Sequence, residues 1–123
     1  MNIMEKPHKR LDAWKESVTL VTLVYELTRQ FPRNEVFGLT SQLRRAVISI
    51  PGNVAEGAAR QTRREFVQFL YIARGSLSEV DTYIEIARRL GYIEKGSIAM
   101  VEEKMVDVDK IITGLIKSLK SKN

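Results

Sequence analysis

An all-α fold, the antiparallel up-down-up-down four-helix bundle, is what this 123-residue chain predicts. Three observations predict it. Four stretches carry apolar residues at steps of three and four, the spacing of one helix face. No stretch alternates with period two over a strand's length. The breaks between the four are short and hold proline or glycine, so successive helices turn back on one another. A chain of this length builds one core, hence a single domain over residues 1–123, with flexible ends expected at about 1–9 and 120–123.

Helix one carries Leu11, Trp14, Val18, Val21 and Tyr25 at heptad-like spacing and closes before Phe31-Pro32. Pro32, Asn34 and Gly38 mark the following loop. Helix two starts near Thr40 and stops at Gly57, a candidate C-terminal cap. Its stripe of Leu43, Ala46, Val47, Ile50 and Val54 keeps its phase across Pro51. An interior proline removes a backbone hydrogen bond and costs about 3 kcal/mol. The unbroken stripe therefore predicts one helix kinked at Pro51 and held by packing on both sides. Beside it, Gln42, Arg45, Ser49, Asn53 and Glu56 fall on one line at 100° per residue. That row is either a solvated face or a polar network against another helix, satisfying the carbonyl freed by Pro51. Its short Ser and Asn side chains are poor helix formers that offer directional hydrogen bonds.

Helix three opens with a capping box, Thr62-Arg63-Arg64-Glu65. Its core stripe is Phe66, Phe69, Leu70, Ala73, Leu77, Val80, Ile84 and Ala87, and Gly91 ends it. Helix four follows an a/d heptad: Ile98, Val101, Met105, Val108, Ile112, Leu115 and Leu119. Helix three also has a second apolar flank, with Ile72, Tyr83, Ile86 and Leu90 around the small Gly75 and Ser76. Such a flank is either a wide core stripe or a subunit interface. Glu79 shares it, placed to pair with an arginine across it.

Composition narrows the chemistry. There is no cysteine, which removes disulfides and thiolate metal sites and fits a reducing cytoplasm. The single histidine, His8, precedes helix one. That disfavours Ser-His-Asp triads, histidine-ligated zinc and di-metal sites built on Glu-x-x-His. It equally disfavours helical ribonucleases with Arg and His on one helix. No phosphate-cradling glycine motif occurs, and no apolar run reaches the length of a membrane span. The expectation is a non-enzymatic cytoplasmic protein without cofactor or metal.

The net charge is +5 and the isoelectric point about 9.6. From residue 76 onward eight basic residues are matched by eight acidic ones, so all the excess lies in residues 1–75. Arg60, Arg63 and Arg64 cluster at the junction of helices two and three. Arg10 opens helix one, Arg29 and Arg33 close it, and Arg74 lies one step from Tyr71 on helix three. Arginine presents a planar fork suited to phosphate, and a tyrosine can stack on an unpaired base. The competing explanation is solvated helix ends with intrahelical ion pairs, which suffices for Arg88 and Arg89 beside Glu85.

Three runs of the sequence resemble a known family. They are Phe-Pro-x-x-Glu-x-Phe-Gly-Leu-Thr-x-Gln-Leu-Arg-Arg-Ala (31–46), Ser-Ile-Pro-x-Asn-x-Ala-Glu-Gly-x-x-Arg (49–60) and Phe-Leu-x-x-Ala-x-Gly-Ser-Leu-x-Glu (69–79). Together they are similar to the 23S rRNA intervening sequence proteins, four-helix bundles that include the accessory variability determinant of diversity-generating retroelements. The family's motif falls here on Arg44, Arg45, Ser49, Pro51, Asn53, Glu56, Gly57, Arg60, Gly75, Ser76 and Glu79. The resemblance implies a cyclic homopentamer with a basic surface. In the retroelement relative that surface engages nucleic acid and a reverse transcriptase. It brings no catalytic residues.

The resulting expectation is a homo-oligomeric accessory protein that binds nucleic acid, RNA above DNA, through Arg10, Arg60, Arg63, Arg64 and Arg74. Gln42, Arg45, Ser49, Asn53, Glu56 and Glu79 hold the kinked helix and the subunit interface. The alternative is a protein-interaction scaffold whose partner is another polypeptide, such as a reverse transcriptase.

Overall fold

The structure, a computed structural model, describes His8 and residues 11–121. Four helices carry the fold: α1 (Asp12–Thr28), α2 (Leu39–Ala58), α3 (Arg63–Arg89) and α4 (Ala99–Ser121), with one 3-10 turn at Arg33–Glu35 between the first two. α1 and α3 each pack on both α2 and α4, while the diagonal pairs stay apart. These are the contacts of an up-down bundle. The α2–α3 contact is the most extensive.

The core is a column of Leu20, Val24, Leu43, Val47, Ile50, Val54, Leu70, Val80, Ile84, Val108 and Ile112, all at most 2 % exposed. α2 buries the predicted stripe and runs unbroken through a buried Pro51. In α1 the buried face is turned by one residue from the expected one. Ala13, Ser17, Leu20, Val24 and Leu27 are buried, while Trp14, Val18 and Val21 are half-buried and Tyr25 is exposed. The physical reason is size. Ala13 and Ser17 let the neighbouring helices come close, and the Ser17 hydroxyl satisfies itself by donating to the Trp14 carbonyl at 3.0 Å. In α4 the heptad holds through Val101, Met105, Val108 and Ile112, then passes to Ile116 instead of Leu115. A straight helix repeats every 3.6 residues, so a strict heptad drifts off its face. In α3 the buried face includes Val67 and Ser76, and Phe66 and Phe69 sit half-buried at its margin.

Gly57 does not cap α2; it lies buried within the helix, where α3 passes over it. A Cβ there would stand 2.8 Å from Phe69 Cβ, 2.9 Å from Phe66 Cδ1 and 3.3 Å from the Phe66 carbonyl oxygen. Gly91, at φ +76°, supplies the left-handed turn just beyond α3.

Glu35 fastens one end of the bundle. One carboxylate oxygen accepts from the Leu39 amide at 3.0 Å, capping α2, and the other accepts from the Tyr92 hydroxyl at 2.8 Å. The Leu39 amide and then the Tyr92 hydroxyl hold the Glu35 carboxyl below its ordinary pKa, and the same contact raises Tyr92. A carboxylate depressed in the folded state adds stability above its unfolded pKa of about 4.3 and loses it as pH falls through the folded value. Glu35→Gln is therefore expected to lower Tm at neutral pH and to flatten the acid limb of the Tm–pH profile. An unchanged acid limb would show that Glu35 is not the titrating latch.

Candidate nucleic-acid interface

The capping box fixes where α3 begins. The Glu65 amide donates to Thr62 Oγ1 at 3.1 Å, and the Thr62 hydroxyl donates to Glu65 Oε1 at 2.9 Å. This puts Arg63 and Arg64 in the first turn, against the positive pole of the helix. Cations there are disfavoured, by roughly 0.3–1 kcal/mol each. Local helix energetics does not ask for two arginines at this position.

α4 runs alongside and brings its last turns to the same place. Two adjoining cavities of about 370 and 420 Å³ lie on the α3–α4 seam and share Tyr71 and Lys120. Their charged lining is Arg63, Arg64, Arg74, Lys117 and Lys120, with no acidic residue. Tyr71 stands at the centre, 39 % exposed. The Arg74 guanidinium lies 5.2 Å from its ring centroid and Lys120 Nζ 5.8 Å. Lys120 also donates to the Tyr71 hydroxyl at 3.3 Å, and Arg74 to Thr113 Oγ1 at 3.4 Å. The ring thus gathers two cations from two helices at separations where cation–π attraction is felt. Further along the same seam the charge reverses, in a cavity lined by Asp81, Glu102 and Asp109 with Lys110.

The structure sorts the expected residues. Arg63, Arg64 and Arg74 come together, joined by Lys117 and Lys120, which sequence reasoning missed. Arg60 does not line these cavities; it packs 4.8 Å over the Phe69 ring and pairs with Glu56 at 3.7 Å. Arg10 lies outside the described residues. The polar row of α2 also divides. Ser49 Oγ and Ser76 Oγ share a hydrogen bond across the α2–α3 contact at 2.6 Å, and Asn53 donates to the Ser49 carbonyl at 2.7 Å. Ser49 Oγ also lies 2.7 Å from the Ala46 carbonyl. These side-chain bonds go to the carbonyls of Ala46 and Ser49, whereas the carbonyl four residues before Pro51 belongs to Val47. Gln42 and Arg45 are exposed, and Glu79 accepts from the Tyr83 hydroxyl at 3.2 Å. Burial and then Glu79 raise the Tyr83 pKa. The remaining α3 flank, Ile72, Ile86 and Leu90, is exposed, and a Cβ on Gly75 would meet nothing within 4 Å.

No group of three or more His, Cys, Asp or Glu side chains that could hold a metal occurs among the described residues. Nor is any described helix long and apolar enough to cross a membrane.

The chain is similar to a crystal structure of a protein of unknown function from the S23 ribosomal protein family of Bacteroides thetaiotaomicron. The two share 22 % identity and a TM-score of 0.77, over 85 % of this chain and 98 % of that one. At that identity the likeness establishes the fold. No curated protein matches the chain. Residues 9–114 match the family described as 23S rRNA-intervening sequence protein. With a four-helix fold behind it and a match spanning most of its length, the chain belongs to the 23S rRNA-intervening sequence protein family.

Proposed function

We propose that the protein is a non-enzymatic, homo-oligomeric accessory factor that binds nucleic acid, RNA above DNA, on the α3–α4 seam. The observation that carries this reading is the convergence of five cations on the exposed Tyr71 without an acidic residue in the lining. Arginine and lysine there contact phosphates, and Tyr71 with Arg74 offers planar surfaces to unpaired bases. The two arginines in the first turn of α3 are disfavoured by the helix dipole, and a polyanion reverses that penalty. Arg60 extends the positive surface, and Arg10, outside the described residues, is proposed to contact nucleic acid as well.

The exposed flank of Ile48, Ile72, Ile86 and Leu90, each 42–54 % exposed, is the subunit interface in this reading. Gly75 leaves room for a second backbone, and Arg45 and Glu79 stand ready to pair across it. A pentameric ring, the assembly implied by the family resemblance, would repeat the basic seam once per subunit. A bend of α2 at Pro51 belongs to the same proposal, since an interior proline clashes with the carbonyl four residues back. A cytoplasmic location goes with it.

Binding to fluorescent RNA and DNA across a salt series tests this. On single strands log K is expected to fall with log salt by about 0.7 per phosphate contact. Reversing Arg63 and Arg64 to Glu should weaken binding and shrink that slope by about 1.4, with the oligomeric mass unchanged. Salt-independent binding, or equal binding by wild type and variant, would sink the reading and turn attention to a polypeptide partner.

A further inference from the structure

We infer that the α1–α2 corner is a second, separate binding site for a small phosphomonoester. A cavity of about 420 Å³ opens there, lined by Thr28, Phe31, Val36, Thr40 and three arginines, Arg29, Arg33 and Arg44, with Pro32 at its edge.

Each arginine is available in a different way. Arg44 is fixed in place. Its Nε donates to Thr28 Oγ1 at 2.9 Å, one Nη donates to the Tyr25 carbonyl at 3.4 Å, and its plane lies 4.5 Å from the Tyr25 ring centroid. A guanidinium has five N–H donors, so the remainder stay available to a ligand in a preset orientation. Arg33 makes no ion pair or hydrogen bond through its side chain among the described residues. Arg29 holds only a loose, exposed contact with Glu26 at 3.5 Å. Glu35, the nearby acid, does not line the cavity, and both its carboxylate oxygens are already engaged.

Thr40 provides an independent sign. It is 7 % exposed, and its hydroxyl is the buried side-chain polar atom without a hydrogen-bond partner among the described residues. A buried hydroxyl without a partner is costly and calls for an explanation. Thr40 lines this same cavity, and a turn of its side chain about χ1 would give that hydroxyl a phosphate oxygen seated among the arginines as its acceptor. Phe31, Pro32 and Val36 form an apolar wall that would take the carbon part of the ligand.

This corner lies towards the other end of the bundle from Tyr71, roughly 20–30 Å away along the helix axis. The two sites therefore take their ligands independently. The ligand chemistry is a phosphate monoester, whether a free nucleotide or the 5′-phosphate end of a strand.

The experiment titrates the full chain with AMP, adenosine and inorganic phosphate, and with oligonucleotides bearing a 5′-phosphate or a 5′-hydroxyl. AMP is expected to bind at millimolar concentration or below while adenosine does not. Arg33→Glu, at a position without a partner to lose, should weaken AMP about tenfold or more with an unchanged thermal transition. Thr40→Val should also weaken AMP while leaving Tm equal or higher, because it removes the orphaned hydroxyl. Lys120→Glu, on the seam, should leave AMP binding intact. A preference for the 5′-phosphorylated over the 5′-hydroxyl strand that Arg33→Glu abolishes would identify the ligand as a strand end, and AMP binding without that preference a free nucleotide. Equal binding of AMP and adenosine, or unaltered AMP affinity in Arg33→Glu, would overturn the inference. So would loss of AMP binding in Lys120→Glu alone, which would place the phosphate on the seam.

Discussion

Gly57→Ala should destabilise the protein by about 1–3 kcal/mol, the usual cost of overpacking a filled site. Alanine is the better helix former by about 1 kcal/mol, so on propensity alone the change would stabilise. Packing decides the sign. The added methyl would meet Phe69 Cβ at 2.8 Å and sit 3.3 Å from the Phe66 carbonyl oxygen. Neither is the free end of a flexible side chain, so α2 and α3 must move apart. That movement would also stretch the Ser49–Ser76 hydrogen bond. Gly75→Ala provides the control: its Cβ would meet nothing within 4 Å of the protomer, and helix propensity should then leave the monomer fold equal or firmer. Chemical denaturation of both variants checks this. A Gly57→Ala protein as stable as wild type would show that the two helices are not in contact at that depth.

Tyr71→Ala is expected to weaken RNA binding by about 1–3 kcal/mol if one base stacks there, roughly five- to 150-fold. The loss has two parts. One is the stacking surface, and the other is the ordering of Arg74 and Lys120, which the ring draws together from separate helices. Tyr71→Phe separates them, because it keeps the ring and deletes the hydroxyl that accepts from Lys120. It should retain most of the affinity. The exposed position of Tyr71 means that neither change should unfold the bundle. Wild-type affinity in Tyr71→Ala, measured at the same salt, would remove the ring from the site.

The helices were legible because their apolar spacing is regular, and in α2 the whole expected apolar stripe is buried, although Gly57, expected as its cap, is buried inside it. α1 was harder. Trp14, Val18, Val21 and Tyr25 are larger and more apolar than Ala13 and Ser17, so hydropathy favours the face that the bundle leaves half open. A serine that satisfies its own hydroxyl inside a helix reads as polar and packs as small. The site was half legible. Arg63, Arg64 and Arg74 stood out in a region of excess charge, but Lys117 and Lys120 lay in a stretch whose acids and bases balance. Only the antiparallel register, which sets residue 120 against residue 71, separates those lysines from the acids two to three turns earlier. The hydrogen bond between Ser49 and Ser76 likewise depends on which faces of α2 and α3 meet. Glu35 and Thr40 belong to runs that the sequence marked, yet their roles needed Tyr92 and the arginine corner in place.

The close seating of α3 on α2 has a consequence for how the chain folds. The two helices are joined by only a few residues, and their contact is the most extensive in the bundle. Joining them closes a short loop, whose entropic cost is small. Contacts between residues near in sequence also form quickly. The α2–α3 hairpin is thus the natural first unit to form. The contact of α4 with α1, across most of the chain, closes the core last. A basic surface that needs α3 and α4 side by side forms only once α4 has docked on that hairpin, so a chain holding the α2–α3 hairpin alone would carry the arginines without the tyrosine-centred site.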